Sequence, residues 1–273
     1  MNEKIRLAEK NDIPALCEIW EKCFSDSREY IELFYKNNFE RIKIFAYCED
    51  GKPVSMLHLI DADLIKKEKR QAAKFIYATG TLPNYRKNGC MSALIKFVTD
   101  LADKDSFALF LKPSSPAASK FYKSFGFEEK SALNIVSINP ADSKPLTAFD
   151  LSFIEYNRMR ETAFNEISHI KWDDAHIKWC VEENEYFSGK TLGINYDNKE
   201  YFLMGYPENN ELVINETDLS VNQLNEISAS LCDVFGTKTV KAYMPVCDEG
   251  DNYVSVLLYN LQTDRPYINM IMI

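Results

Sequence analysis

Basic charge is in short supply in this chain. Its 273 residues hold 32 Lys and Arg against 41 Asp and Glu, a formal net charge of −9. A general nucleic-acid binder needs a basic face whose contacts release counterions, so that class is excluded, while an amine-bearing partner is compatible with the field. Long apolar runs are missing too. No stretch reaches membrane-spanning length, and charge at Glu3 interrupts any signal-peptide core, so the expectation is a cytoplasmic protein with no membrane partner. Cysteine is present seven times without a Cys-x-x-Cys pair, an odd number that fits neither a disulfide framework nor a zinc site. His176 and Cys180 stand four apart with no further ligand pair nearby, and no metal is expected.

What is present is an ordinary globular balance, 46% hydrophobic and 27% charged, with enough chain for one large or two modest domains. The most informative stretch is Thr81-Leu82-Pro83-Asn84-Tyr85-Arg86-Lys87-Asn88-Gly89-Cys90-Met91-Ser92. Before it, Lys74 to Leu82 is rich in β-branched and aromatic residues and reads as a strand, with Gly80 marking a bulge or close approach. After it, Met91, Leu94, Ile95, Val98, Leu101 and Ala102 recur at helical spacing. A strand, a basic bend with Gly, and a helix start together make an anion cradle. The first helix amides are unpaired, the dipole adds partial positive charge, and Gly lets the backbone come close. An ordinary buried strand-turn-helix with a solvated Arg-Lys pair would look the same at this level.

The first half reads as a strand, two helices, an antiparallel set of strands, then helix, strand, helix, strand. Asp12 is expected to cap the first helix, whose stripe is Ile13, Leu16, Ile19, Trp20, Cys23 and Phe24. A second helix is predicted from Arg28 to Asn37. Strands Ile42–Cys48 and Val54–Ile65 bracket the Asp50-Gly51 hairpin turn. Ser106 to Leu111 should pair parallel to the strand carrying Thr79. Ser115 and Pro116 start a later helix, and Gly126 follows its end.

Three segments, in this order, resemble the GNAT superfamily of acyl-CoA-dependent acyltransferases over roughly residues 3 to 133. Ile5 to Asp12 is similar to that family's opening strand and helix cap. Tyr85-Arg86-Lys87-Asn88-Gly89-Cys90-Met91 resembles its pyrophosphate loop. Ser115 to Phe127, ending Phe125-Gly126-Phe127, resembles its later helix and aromatic-Gly-aromatic step. Met91 stands where a second small residue is usual, a departure shared with the multi-domain branch of the enhanced-intracellular-survival type.

The resemblance implies an α/β fold with a mixed sheet. Residues 1–133 would be an acyl-CoA-binding domain, 134–150 a linker, and 151–273 a degenerate GNAT-like domain. The second junction, Asn215 to Ser220, has neither Gly nor Arg and sets Glu216 and Asp218 where a pyrophosphate would sit, so only the first half is expected to bind the carrier. The second half could be structural, shape the acceptor pocket or pair subunits into a homo-oligomer. The resemblance also implies acetyl-CoA as co-substrate and an amine acceptor. It places Thr79, Gly80, Thr81 and Leu82 along the pantetheine arm and Arg86, Lys87, Asn88, Gly89, Cys90, Met91 and Ser92 around the pyrophosphate. Tyr122 takes the proton-donor position, although Phe121, Tyr122 and Phe125 also form a packing stripe. No general base stands out: Asp26, Asp61, Asp63 and Glu68 read equally well as surface charges, and His58 reads as a packing histidine. A non-catalytic acyl-CoA-binding regulator and a structural protein on the same scaffold are the competing readings.

Overall fold

The computed structural model describes residues 4–140, 144–245, 253–262 and 265–269. The chain divides into two compact units. The first holds residues up to Asp63, Gln71–Glu129 and Leu257–Gln262; the second holds Leu64–Arg70, Lys130–Val256 and the remaining C-terminal residues.

In the first unit, β1 (Ile5–Leu7) is followed by α1 (Ile13–Cys23) and α2 (Arg28–Asn38). Then come β2 (Lys43–Glu49), β3 (Lys52–Lys66), β4 (Lys69–Thr81), α3 (Cys90–Asp105), β5 (Ala108–Leu111) and α4 (Pro116–Lys123). The strands lie in the order β1-β2-β3-β4-β5. The β2–β3 hairpin turns through Asp50 and Gly51, at φ 48° and 79°, the left-handed pair such a two-residue loop needs. One side of the sheet buries Leu57, Leu59 and Ile76 against Leu94, Ile95 and Val98 of α3. Burial of this kind is worth about 1.5–3 kcal/mol per large apolar side chain, more than any surface pair here. A second cluster packs Trp20 of α1 against Phe34, Tyr35, His58 and Tyr77, with ring centroids 4.9–5.7 Å from the indole.

The pairing of β4 with β5 is parallel but short. It covers Ala73–Phe75 against Ala108–Phe110 only, so the strand carrying Thr79 runs on past the end of its neighbour's ladder. Ala78 adopts φ 42°, a left-handed conformation rare for a residue with a Cβ, and breaks the regular extension of β4 just before Thr79.

The second unit holds most of β6 (Glu128–Ile138), then β7 (Thr147–Asp150), α5 (Phe153–Phe164), β8 (His169–Lys171), α6 (Asp174–Tyr186), β9 (Lys190–Tyr196), β10 (Lys199–Glu208) and β11 (Glu211–Thr217). It continues with α7 (Val221–Phe235), β12 (Thr239–Pro245) and β13 (Tyr253–Tyr259), whose last three residues pair antiparallel with β5 in the first unit's residue set. Its sheet runs β6-β12-β11-β10-β9-β7. Two helices, three antiparallel strands, a helix and a parallel strand therefore recur: β11 pairs β12 as β4 pairs β5. The mixed α/β class and the two-half order agree with the sequence reading.

Three local expectations need correction. Asp12 does not cap α1, because it closes a preceding 3-10 turn (Lys10–Asp12) and is already helical at φ −83°, ψ −15°. Its carboxylate instead takes hydrogen bonds from Glu9 N at 2.7 Å and from Arg6 Nη1 and Nη2 at 2.5 and 2.9 Å. Residues 134–150 are not one linker. Ile135, Val136 and Ile138 carry β6 through Ile138 against β12, and Thr147–Asp150 pairs with β9. Glu216 does not face outward. It is fully buried and accepts from Tyr156 Oη at 2.6 Å and from Arg160 Nε at 2.8 Å.

Candidate active site

A cleft of about 360 Å³ opens in the first unit, lined by Cys23, Phe24, Thr79, Gly80, Thr81, Arg86, Met91, Ser114, Ala118, Phe121 and Tyr122. Four elements meet there: the end of α1, the free stretch of β4, the start of α3 and the first turns of α4.

The floor is the end of β4. Gly80 sits in a tight place, since a Cβ at that position would lie 3.0 Å from both Cys23 Sγ and Ile19 Cγ2. Ser55 of β3, fully buried, donates to the Gly80 carbonyl at 2.9 Å and shares a 2.8 Å hydrogen bond with the Thr81 hydroxyl. Leu82 N donates to Val54 O at 2.9 Å, so its amide is committed to β3. His58 supports the irregular step at Ala78. Its Nδ1 lies 3.2 Å from the Ala78 carbonyl, and its Nε2 lies 3.1 Å from Tyr35 Oη. A carbonyl can only accept, so Nδ1 carries the proton and Nε2 accepts from the tyrosine hydroxyl. Complete burial lowers the His58 pKa to about 4, which keeps this ring neutral and structural.

The bend that the sequence offers as an anion cradle is open, and its backbone turns at two positions. Lys87 and Gly89 take left-handed φ values of 66° and 81°, and α3 begins at Cys90 with no side chain capping it. Among the described residues, no protein group accepts a hydrogen bond from the main-chain N–H groups of Lys87 to Ser92. A Cβ on Gly89 would meet nothing within 4 Å. Arg86 to Gly89 are exposed, and the Cys90 side chain is buried. The turn is thus open, and its donors are uncommitted.

Arg86 has other company. Its Nε donates to the Thr81 carbonyl at 3.0 Å and its Nη2 to the Lys22 carbonyl at 3.3 Å, near the C-terminal end of α1. The guanidinium thus ties the bend to the strand before it and to the helix beside it.

Tyr122 comes to the cleft on α4. Ser115 caps that helix by accepting from Ala118 N at 3.1 Å, Pro116 occupies its first turn, and Gly126 at φ 87° follows its end. The phenol is only 7% exposed, and its hydroxyl lies 2.9 Å from Thr79 Oγ1. Burial raises its pKa above the usual phenol value, and the hydrogen bond to Thr79 acts in the opposite direction.

Of the residues singled out from sequence, Thr79, Gly80, Thr81, Arg86, Met91 and Tyr122 line the cleft together. Leu82 is turned to β3, while Lys87, Asn88, Gly89, Cys90 and Ser92 form the adjoining bend and helix start. Cys23, Phe24, Ser114, Ala118 and Phe121 also line it: Ala118 and Phe121 come with Tyr122 on α4, while Cys23 and Phe24 arrive from the end of α1 by tertiary packing. The carboxylates considered as bases are occupied where partners are visible. Asp26 accepts from Trp20 Nε1 at 2.8 Å, and Asp61 pairs with Lys74. No group of metal-ligating side chains occurs among the described residues.

Residues 4–129 match the acetyltransferase (GNAT) domain family. No curated protein matches the chain. Among solved structures, the chain resembles a GCN5-related N-acetyltransferase from Anabaena variabilis at TM-score 0.74 and 16% identity, covering 93% of this chain and 72% of that one. It resembles a probable N-acyltransferase from Enterococcus faecalis at TM-score 0.73 and 13% identity, covering 93% and 71%. Eis1 from Mycobacterium abscessus follows at TM-score 0.66 and 10% identity, covering 93% and 72%. At these identities the likeness establishes the fold.

Proposed function

We propose, from the match of residues 4–129 to the acetyltransferase (GNAT) domain family, that this chain moves an acetyl group from acetyl-CoA to an amine of a small molecule or peptide. The observation that carries this reading is the open turn at Lys87–Ser92, whose N–H groups have no protein acceptor among the described residues, beside the edge of β4 that runs past its ladder with β5. Uncommitted amides at a helix start favour a diphosphate, and a strand edge beyond its ladder favours an extended amide-bearing arm.

The chemistry then needs little more. The neutral amine adds to the thioester carbon, the C–S bond breaks, and the departing thiolate takes the proton of the Tyr122 hydroxyl, while the amine nitrogen gives one up to solvent. A free thiol near pKa 8.5 holds its proton less tightly than a free phenol near 10, and burial of Tyr122 widens that margin while the Thr79 hydrogen bond narrows it, so the transfer asks for a positioned and supported acid. Amides at the end of β4 would stabilise the oxyanion that forms on the carbonyl.

The test is free-thiol release from acetyl-CoA over a library of amines, with calorimetric titration of acetyl-CoA alone. Saturable binding with amine-dependent thiol release supports the transferase. Binding without release across the library replaces it with the regulator reading, and absence of binding overturns both.

A further inference from the structure

The Thr79 hydroxyl has a task separate from the backbone of its strand. Thr79 and Tyr122 come from β4 and α4, 43 positions apart, and their oxygens meet at 2.9 Å inside the cleft. We infer that Thr79 is a positioning residue: its hydroxyl donates to Tyr122 Oη, aims the phenolic proton into the cleft and holds the phenolate left after that proton departs. This rests on the transferase reading of the same cleft.

The hydrogen-bond inventory allows either direction, and the role inferred for Tyr122 selects one. A phenol has one proton and can also accept, and a threonine hydroxyl has one proton of its own. If Tyr122 donated to Thr79, its only proton would be engaged there and not offered to the leaving group. If Thr79 donates, the tyrosine proton is left to turn towards the cleft. The phenolate formed then keeps a charge-assisted hydrogen bond in a largely dry site, where such a bond is strongest. Substrate thiolate plus Tyr122–OH becomes thiol plus Tyr122–O⁻, with Thr79 O–H donating to that oxygen throughout.

Among the described residues, the rings packed against the phenol are apolar. Phe121 packs against Tyr122 from α4, and Phe127 from beyond the turn, with centroids 5.3 and 5.8 Å away. The ionisable groups sharing the cleft are Cys23 on α1 and Arg86 on the bend. On α4, Lys120 carries a positive charge and Lys123 pairs with Glu129 at 3.1 Å. The departure of Ala78 from regular strand geometry immediately precedes Thr79 and is held by His58, so the Thr79 side chain is presented by a fixed backbone.

Thr79→Val removes the donor and keeps the β-branched shape; Thr79→Ser restores a hydroxyl. The expected result is that Thr79→Val lowers kcat roughly tenfold with little change in acetyl-CoA affinity, and that Thr79→Ser recovers most of it. Because Thr79 stabilises the phenolate, its loss raises the Tyr122 pKa, so the high-pH fall in kcat should move to higher pH in Thr79→Val. In a Tyr122→Phe background, Thr79→Val should have no further effect. Wild-type kcat in Thr79→Val, or a loss that simply adds to that of Tyr122→Phe, overturns the assignment. A chain that turns over no amine sinks the transferase reading instead. In that case the Tyr122 titration, followed by NMR of tyrosines labelled at Cζ and assigned by Tyr122→Phe, still decides the contact: an unchanged midpoint in Thr79→Val overturns it, and an upward shift supports it.

Discussion

Arg86 Nε donates to the carbonyl of Thr81 at 3.0 Å, closing the basic bend back onto the strand from which it emerged. The same guanidinium reaches the Lys22 carbonyl through Nη2 at 3.3 Å and lies 3.7 Å from Cys23 Sγ. An arginine at a phosphate loop is easily read as a phosphate ligand; here two of its donors are spent on main-chain carbonyls. Its fixed fork spans acceptors that a single ammonium cannot span together.

Arg86→Ala and Arg86→Lys should therefore weaken acetyl-CoA binding by similar factors. If the charge alone mattered, lysine would preserve affinity. The residue is exposed, so the effect of losing the tie is modest: about 1 kcal/mol, or roughly fivefold in Kd. Calorimetry on the two variants checks this. A lysine variant with wild-type affinity would show that the brace contributes nothing.

Gly80 and Gly89 invite opposite explanations for the same substitution. Gly89→Ala meets empty space but must hold φ 81°, which costs about 1 kcal/mol for a residue with a Cβ. Any relaxation of that φ re-aims the N–H groups of the turn, so acetyl-CoA affinity should drop while the melting temperature falls only slightly. Gly80→Ala has no such strain and instead drives a methyl against Ile19 Cγ2 and Cys23 Sγ at 3.0 Å. It should lower the melting temperature more than Gly89→Ala, in line with overpacking costs of about 1–3 kcal/mol. Thermal denaturation and calorimetry on both variants separate the two effects, and matching profiles would refute the distinction.

The contrast shows which parts of the site were legible in the sequence. The bend and helix start of the proposed cradle were readable because their signals are local: Arg86, Gly89 and the helix periodicity from Met91 lie within a few residues of one another. The cap at Ser115 was readable for the same reason. Asp12 misled because its competitor is Arg6, across a turn whose geometry no local pattern shows. Glu216 misled because a charge in a polar stretch reads as solvated, and only tertiary packing brings Arg160 and Tyr156 to it. The short strands β7 and β8 have too few residues to show a period. The cleft residues Cys23, Phe24 and Phe121 sit on helical stripes that look like core.

His58 makes a contribution to stability that acid removes. Its pKa is lowered by burial from 6.5 to about 4, so the folded ring stays neutral over a range where the unfolded ring binds a proton. Unfolded chains then hold more protons than folded ones, and stability falls as pH drops from about 6.5 to 4, by roughly 3 kcal/mol at the lower end. Asp218 opposes this trend: burial raises its pKa from 3.8 to about 6, so its contribution improves as pH falls through that interval. The two are separable by substitution. His58→Gln, which can still bond to Ala78 O and Tyr35 Oη, should flatten the loss between pH 6.5 and 4 relative to wild type, as read by denaturant unfolding at several pH values. An unaltered slope would mean that the imidazole is not the titrating group.

Arg160 and Glu216 give the sharpest stability test in the second unit. Both are fully buried, 2.8 Å apart, and Tyr156 Oη adds a 2.6 Å hydrogen bond to the same carboxylate oxygen. Desolvating two ions is expensive, and a buried pair repays it only while both members are present. Arg160→Met leaves the Glu216 carboxylate buried without its cation and should cost about 3–5 kcal/mol. Glu216→Gln leaves the guanidinium with Glu161, whose Oε1 lies 2.8 Å from Nη1, so its cost should be smaller. The double variant Arg160→Met/Glu216→Gln removes both charges and should be more stable than Arg160→Met alone, because the uncompensated anion is gone. Denaturant unfolding of the three variants measures the coupling directly. Additive losses would mean that the two groups stabilise the unit independently, and the pair would then carry no energetic link between α5 and β11.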